Sequence, residues 1–239
     1  MIEYIKQAKE VSKNPNIKKI NYYGSLNYKE LLGLAKIHLS KNDSVLEIII
    51  KKIGDCKLKP HKRYFENLVD GIISQQLSLK AAESIFNKFK RLFDGDERFP
   101  SPEAIVSVSD DRLRSSGLSN AKVNYVKDLA AKVIDGTIRI HNLNKMSDDE
   151  IVNELIQVKG IGMWTAHMFM IFCLGHMDVL PVGDLGFKRA VMINYKLRKM
   201  PDEKKIIKIS KKHYWEPYRS IATWYHWQSL SLNNIVNKV

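Results

Sequence analysis

Cysteine is almost missing from this chain. Cys56 and Cys173 are the only two in 239 residues, too few and too isolated for a disulfide framework. They exclude any site built from four cysteine ligands, whether a zinc site or a cubane iron–sulfur cluster, and they suit a reducing, intracellular compartment. Seven prolines and twelve glycines are too sparse for a low-complexity or collagen-like chain. The opening Met1-Ile2-Glu3-Tyr4-Ile5-Lys6 has no signal-peptide apolar run. The most apolar stretch, Ile161 to Val182, is interrupted by His167, Gly175, His176 and Asp178. It therefore falls short of the roughly 20 apolar residues that a membrane span needs, and a buried helix followed by a loop is expected. His61, His167, His176, His213 and His226 are scattered, with no ligand spacing, so no metal and no cofactor are expected.

What is present is ordinary globular composition, 44% hydrophobic and 27% charged, carrying an unusual charge. Lys and Arg exceed Asp and Glu by 13. Cationic side chains release the counterions condensed on nucleic acid, so a strongly basic domain commonly engages polyanions. The excess is uneven: residues 1–62 hold 13 Lys against 6 acids, and residues 188–212 hold 10 Lys and Arg against 2 acids. Some of these cations are expected to line a backbone-contacting surface; the alternative is solvated helix faces.

Apolar spacing is helical almost throughout. Phe65, Leu68, Val69, Ile72 and Ile73, then Ile85, Phe86, Phe89 and Phe93, follow the i, i+3, i+4, i+7 stripe of amphipathic helices between Tyr64 and Phe93. Leu113, Leu118 and Val123 to Val133 read similarly, as do Ile151 to Leu155, Met163 to Leu174, Leu185 to Tyr195 and Trp215 to Leu230. Ser147 with Glu150 three residues later is a capping-box pattern. Breaks fall at Asn14-Pro15-Asn16, from Asp94-Gly95-Asp96 to Pro102, and at Asp135-Gly136, Gly183 and Pro201-Asp202. The only strand candidate is Val45 to Ile53, an ambiguous continuous apolar run. An all-α protein of roughly ten helices is expected.

The most informative stretch is Leu155-Ile156-Gln157-Val158-Lys159-Gly160-Ile161-Gly162-Met163-Trp164-Thr165-Ala166. Gly160 and Gly162 permit a tight turn between two helices. A fresh helix N-terminus offers free N–H donors and a positive dipole end to a phosphate. Ile161 would pin the hairpin between its helices, and Lys159 adds a cation. Such a device grips a DNA phosphate without reading sequence.

At these residues the chain resembles the helix-hairpin-helix DNA glycosylases, and within them the 3-methyladenine DNA glycosylase II (AlkA-type) branch. The resemblance spans roughly residues 64–230. It is carried by Gly160-Ile161-Gly162-Met163-Trp164-Thr165-Ala166 and by Leu180-Pro181-Val182-Gly183-Asp184-Leu185-Gly186. Two more segments add to it: Ile73-Ser74-Gln75-Gln76-Leu77-Ser78, and Trp215-Glu216-Pro217-Tyr218-Arg219-Ser220 with Ala222 and Trp227.

The resemblance implies a two-lobed helical glycosylase fold with a central cleft. Residues 1–62 and 178–239 would form one lobe, and residues 63–177 the other, with the hairpin at about 156–166. Some relatives add an N-terminal β-sheet domain; the segment here looks helical, so the compact, sheet-free form is expected.

Asp184, 22 residues after Gly162, stands at the family's spacing for its catalytic aspartate. Cleaving an N-glycosidic bond builds oxocarbenium charge on the sugar, which a carboxylate stabilises while it orients or deprotonates water. Read locally, Asp184 is a good helix N-cap. Relatives with lyase activity carry a lysine directly before the Thr-Ala, for Schiff-base chemistry. This chain has Trp164 there, so a monofunctional enzyme leaving an abasic site is expected.

A flipped, cationic alkylated purine stacks on electron-rich rings. Trp164, by its hairpin position, and Trp227, by the C-terminal match, are candidates, and Tyr218 and Trp224 are weaker ones; for each the plain alternative is a core ring. Met168 stands where some relatives have an aromatic residue. Gln75, Gln76 and Leu77 occupy the family's wedge position, with Gln76 favoured to fill the hole left in the duplex; the alternative is a polar inter-helix turn. Lys159, Gly160, Ile161, Gly162 and Thr165 would form the backbone-contacting hairpin. Arg219 and Lys188 would touch backbone or simply carry surface charge.

The function expected is hydrolytic removal of alkylated bases, above all 3-methyladenine, from duplex DNA by a monomer. It would work in the cytoplasm or nucleoid of a prokaryote, or in a nucleus, with no membrane partner. The rivals are a glycosylase for hypoxanthine, uracil or another lesion, a non-catalytic helix-hairpin-helix DNA-binding protein, and a basic helical scaffold.

Overall fold

A computed structural model describes residues 26–93 and 99–236. Residues 1–25 of the expected terminal lobe, the break at Asn14-Pro15-Asn16 and the Asp94-Gly95-Asp96 part of the second break lie outside the described residues.

Among the described residues there are twelve α-helices and no strand. They are α1 (Tyr28–Asn42), α2 (Ser44–Ile53), α3 (Tyr64–Ser74), α4 (Leu79–Arg91), α5 (Pro102–Ser107), α6 (Asp110–Ser115), α7 (Asn120–Ile134), α8 (Asp148–Leu155), α9 (Met163–Phe169), α10 (Leu185–Asn194), α11 (Glu203–Lys212) and α12 (Arg219–Val236). A 3-10 turn, Ile140–Lys145, leads into α8, and a single π-turn, Met170–Leu174, extends α9. None of these helices is long and apolar enough to cross a membrane.

Short polar residues start most of these helices. Asn27, Asp43, Ser78, Ser101, Ser109, Ser119, Ser147, Asp184 and Asp202 each accept a first-turn N–H in the side chain. Each such cap typically contributes about 1 kcal/mol. The Ser147–Glu150 capping box forms in full.

One boundary and two elements differ from the sequence expectation. Val45 to Ile53 is helix α2 and not a strand: Asp43 caps it through the Val45 and Leu46 N–H groups, and Leu46, Ile49 and Ile50 make one buried stripe. Trp215 to Tyr218 precede the last helix, which begins at Arg219, because Pro217 disfavours the helical conformation at Glu216 before it. Helix α11 was invisible in a lysine-rich run; Ile206, Ile209 and Ser210 form its buried face and Asp202 its cap.

The helices pack in two groups. Helix α7 carries α3, α5 and α6, while α9 lies against α3 and α8. Helix α12 carries α1, α2 and α10. In the second group the buried Asp43 carboxylate takes two backbone N–H groups of α2, the Trp215 indole at 2.8 Å and the Tyr195 hydroxyl. These donors offset the desolvation of the charge and fasten the α1–α2 corner to the C-terminal segment.

Candidate active site

The hairpin forms where α8 hands over to α9. Gly160 takes φ +80°, and a Cβ there would run into Cδ2 of the Tyr125 ring. The turn therefore demands glycine twice, once for backbone conformation and once for the ring beneath it. Ile161 is only 4% exposed, filling the core as a pin. Gly162 caps α9 with open space around its Cα, and Thr165 is buried with its methyl toward Gly71.

Helix α7 underpins this turn. Asp128 accepts the Lys159 backbone N–H at 2.8 Å and the Lys132 ammonium at 2.6 Å, while Lys132 also donates to the Gln157 carbonyl at 2.7 Å. Burial alone would raise the Asp128 carboxyl, but these donors outweigh it and hold it below the usual range. The Lys159 ammonium, 71% exposed and 4.0 Å from Asp128, projects into solvent beside the turn.

Asp184 sits at the N-cap of α10, where the two helix groups meet. Oδ1 accepts the Phe187 N–H at 2.5 Å and the Trp227 indole N–H at 2.8 Å; Oδ2 accepts the Trp164 indole N–H at 2.8 Å. The carboxylate is thus both a cap and a charge centre held by α9 and α12 together. Donors preorganised around an anion fix its position without later rearrangement.

Trp164 remains 46% exposed, so its ring walls the site while its N–H holds the acid. Trp227 is half-buried and stacks on Phe172, with centroids 5.6 Å apart at 18°. Phe172 is an exposed ring that sequence reasoning misses; its place in the helix-like Met163 to Leu174 run marks it only as core. Met168 is partly buried against the core.

Two aromatic candidates take their plain alternative. Tyr218 is buried with its ring edge-on to His38, and Trp224 is buried edge-on to Tyr225, so each is a core ring. Arg219 is taken up by Asp178 at 2.8 Å and Glu216 at 2.9 Å, and it serves the fold at the start of α12. Lys188 is half-buried on α10. A surface cleft of about 940 Å³, lined by Lys62, Arg63, Lys90 and Phe93 among others, does not include Asp184.

The turn between α3 and α4 separates its three candidates. Gln75 faces the hairpin, donating to the Gly160 carbonyl at 2.8 Å and lying 3.4 Å from Thr165 Oγ1. Gln76 is exposed and stands at φ +56°, a left-handed conformation costly for a residue with a Cβ. Leu77 is partly exposed beside it, and Leu79, which carries no signal in the sequence, is 92% exposed. The Lys122 ammonium reaches this turn from α7, donating to the carbonyls of Ile73 at 2.7 Å and Gln75 at 2.9 Å.

The family model described as HhH-GPD superfamily base excision DNA repair protein matches residues 69–216. The chain is 33% identical over 212 residues to DNA-3-methyladenine glycosylase 1 of Schizosaccharomyces pombe, covering 87% of this chain and 92% of that protein. The solved structure of the S. pombe 3-methyladenine DNA glycosylase in complex with abasic DNA superposes with a TM-score of 0.73, at 33% identity, over 82% of this chain and 95% of that one. A DNA-3-methyladenine glycosidase structure from Bacillus halodurans gives 0.71 at 35% identity, over 82% of this chain and 88% of that one.

Proposed function

Because this chain belongs to the HhH-GPD superfamily of base excision DNA repair proteins, we propose that it is a monofunctional DNA glycosylase. Its reaction would release alkylated bases, chiefly 3-methyladenine, from duplex DNA and leave an abasic site. The observation that carries the reading is the Asp184 carboxylate, fixed by three N–H donors between the hairpin helix and the C-terminal helix.

In this reading the hairpin from Lys159 to Thr165 holds a phosphate of the lesion strand, and Gln76 with Leu77 fills the gap left by the extruded base. The base lies against the rings of Trp164, Trp227 and Phe172. An N3-alkylated purine is positively charged and leaves as a neutral base with the glycosidic electron pair. Charge then builds on the sugar, where Asp184 stabilises it. Water adds its oxygen to C1′, and its proton passes to Asp184 and on to solvent. Each protein molecule acts alone, with no cofactor.

The lyase step is absent in this reading because the position directly before Thr165-Ala166 carries no amine. Trp164 occupies the position before Thr165-Ala166, and Lys159 lies on the far side of the Gly160 turn beside Asp128.

The test is base release from methylated duplex DNA, with strand scission followed on the same samples. Free 3-methyladenine with intact strands, and no borohydride-trapped complex, is the expected result. Strand breaks accompanying release would remove the monofunctional assignment. Tight DNA binding with no release from any alkylated, deaminated or uracil-containing duplex would remove the enzyme.

A further inference from the structure

The wedge turn and the hairpin are separate in sequence yet tied together by hydrogen bonds, and one face of α7 carries most of the ties. Lys122, Tyr125, Asp128 and Lys132 recur three to four residues apart along that helix, which places them on one side. Lys122 grips the last carbonyls of α3, Tyr125 lies under Gly160, and Asp128 with Lys132 holds the Lys159 N–H and the Gln157 carbonyl. Gln75 closes the frame by donating across to the Gly160 carbonyl at 2.8 Å.

Within this frame Gln76 is held left-handed at φ +56°. A residue with a Cβ keeps such a conformation only where its surroundings impose it, at a cost of order 1–3 kcal/mol. The carbonyls on either side of Ser74 are those that Lys122 holds, and the Leu77 N–H returns to the Ser74 carbonyl at 3.3 Å.

We propose that Lys122 is a positioning residue for base extrusion: it holds the Gln76–Leu77 tip at a set distance from the phosphate-gripping hairpin. It touches neither DNA nor the reacting atoms. The inference rests on the glycosylase reading above. A plug displaced by an ångström cannot replace the extruded base, and misplacements of that size cost up to roughly a hundredfold in rate. A single strand leaves no hole to fill, so the contribution of Lys122 should vanish there.

The test compares release of 3-methyladenine from methylated duplex and methylated single-stranded DNA by the wild type, Lys122→Met and Lys122→Arg. Lys122→Met should lose roughly tenfold or more on duplex and less than about twofold on single strand. Lys122→Arg, which can also reach two carbonyls, should recover most of the loss. Equal loss on both substrates, or no loss on either, overturns the inference. If Lys122→Met fails to fold, Gln75→Leu cuts the tie to Gly160 from the other side and should give the same duplex-specific loss; unaltered duplex activity there overturns it equally. A wild type that releases no base from either substrate sinks the glycosylase reading, an outcome distinct from an active wild type whose variants show no duplex-specific defect.

Discussion

Trp227 donates its indole N–H to Oδ1 of Asp184 at 2.8 Å while the face of the same indole stacks on Phe172. One side chain therefore serves the acid with its edge and offers an aromatic wall with its surface. Trp164 repeats the arrangement from α9, donating to the other oxygen at 2.8 Å. The family resemblance assigns these rings to stacking alone; the structure adds a hydrogen-bonding duty that ties the position of the acid to the position of the walls.

This separates two roles that a truncation would confound. Trp227→Phe keeps a ring against Phe172 and removes only the donor. A hydrogen bond to a charged group is worth about 1.5–3 kcal/mol, and the half-exposed site favours the lower end. Turnover of 3-methyladenine should therefore drop by roughly tenfold in single-turnover assays, and loss of the same bond should lower the melting temperature by about 3–6 °C. An undiminished rate would show that the indole N–H contributes nothing to the acid.

Asp184→Asn tests the acid itself without dissolving the helix it caps. The amide oxygen can still accept from Phe187, so α10 keeps its cap and thermal stability should change little. The amide nitrogen then faces the Trp164 N–H, donor against donor, and that contact is lost. Base release should fall by at least about 10²–10³-fold, the range seen when one electrostatic group leaves a preorganised site. Affinity for undamaged duplex should hold, and Trp164 fluorescence should shift in the free protein. Release at the wild-type rate would show that Asp184 is only a cap.

Much of this architecture was legible because it is written locally. Helix starts announced themselves through Asp and Ser caps, the Ser147–Glu150 box among them, and the hairpin through two glycines between helical stripes. What stayed hidden depended on packing between distant segments. Val45 to Ile53 reads equally as strand or helix until Asp43 caps it and Ile48 is left exposed. Tyr218 and Trp227 both lie in the C-terminal segment and look alike in sequence; only the fold turns one toward His38 and the other toward Asp184. Gln75 and Gln76 are neighbours of identical chemistry, and the left-handed turn alone sends one to the hairpin and the other to solvent. Lys122 carried no signal, because its partners are backbone carbonyls some 50 residues away in sequence, at Ile73 and Gln75.

A pH dependence of stability follows from His226. Burial pushes its imidazole down to about 4; the neighbouring Asp43 carboxylate opposes the shift and His213 adds to it. Nδ1 lies 2.8 Å from the Asn194 amide nitrogen, Nε2 has no partner among the described residues, and the Phe187, Tyr195 and Trp215 rings surround it. The unfolded chain takes up a proton near pH 6.5, whereas the folded one resists until about pH 4, so stability falls as pH drops through that window. The loss should be on the order of 3 kcal/mol by its lower end. Melting temperatures measured from pH 7 to pH 4 should decline steeply in the wild type and less steeply in His226→Phe. Identical slopes would remove His226 as the source.

The two hairpin glycines should fail in different ways when given a methyl group. Gly160→Ala drives a Cβ into the Tyr125 ring at φ +80°, so backbone and ring must both give way. Misplaced conformation and overpacking each cost about 1–3 kcal/mol, and the variant should melt lower as well as bind DNA more weakly. Gly162 has an ordinary negative φ of −105°, and a Cβ added there would meet nothing within 4 Å among the described residues. Gly162→Ala should therefore fold as the wild type does. If a phosphate approaches the backbone at this point, the new methyl lies in its path. Duplex affinity should then fall with no change in melting temperature, and the salt dependence of Kd should flatten as one backbone contact is lost. Wild-type affinity and salt slope in Gly162→Ala would move the phosphate contact away from this turn, even if Gly160→Ala is damaged as expected.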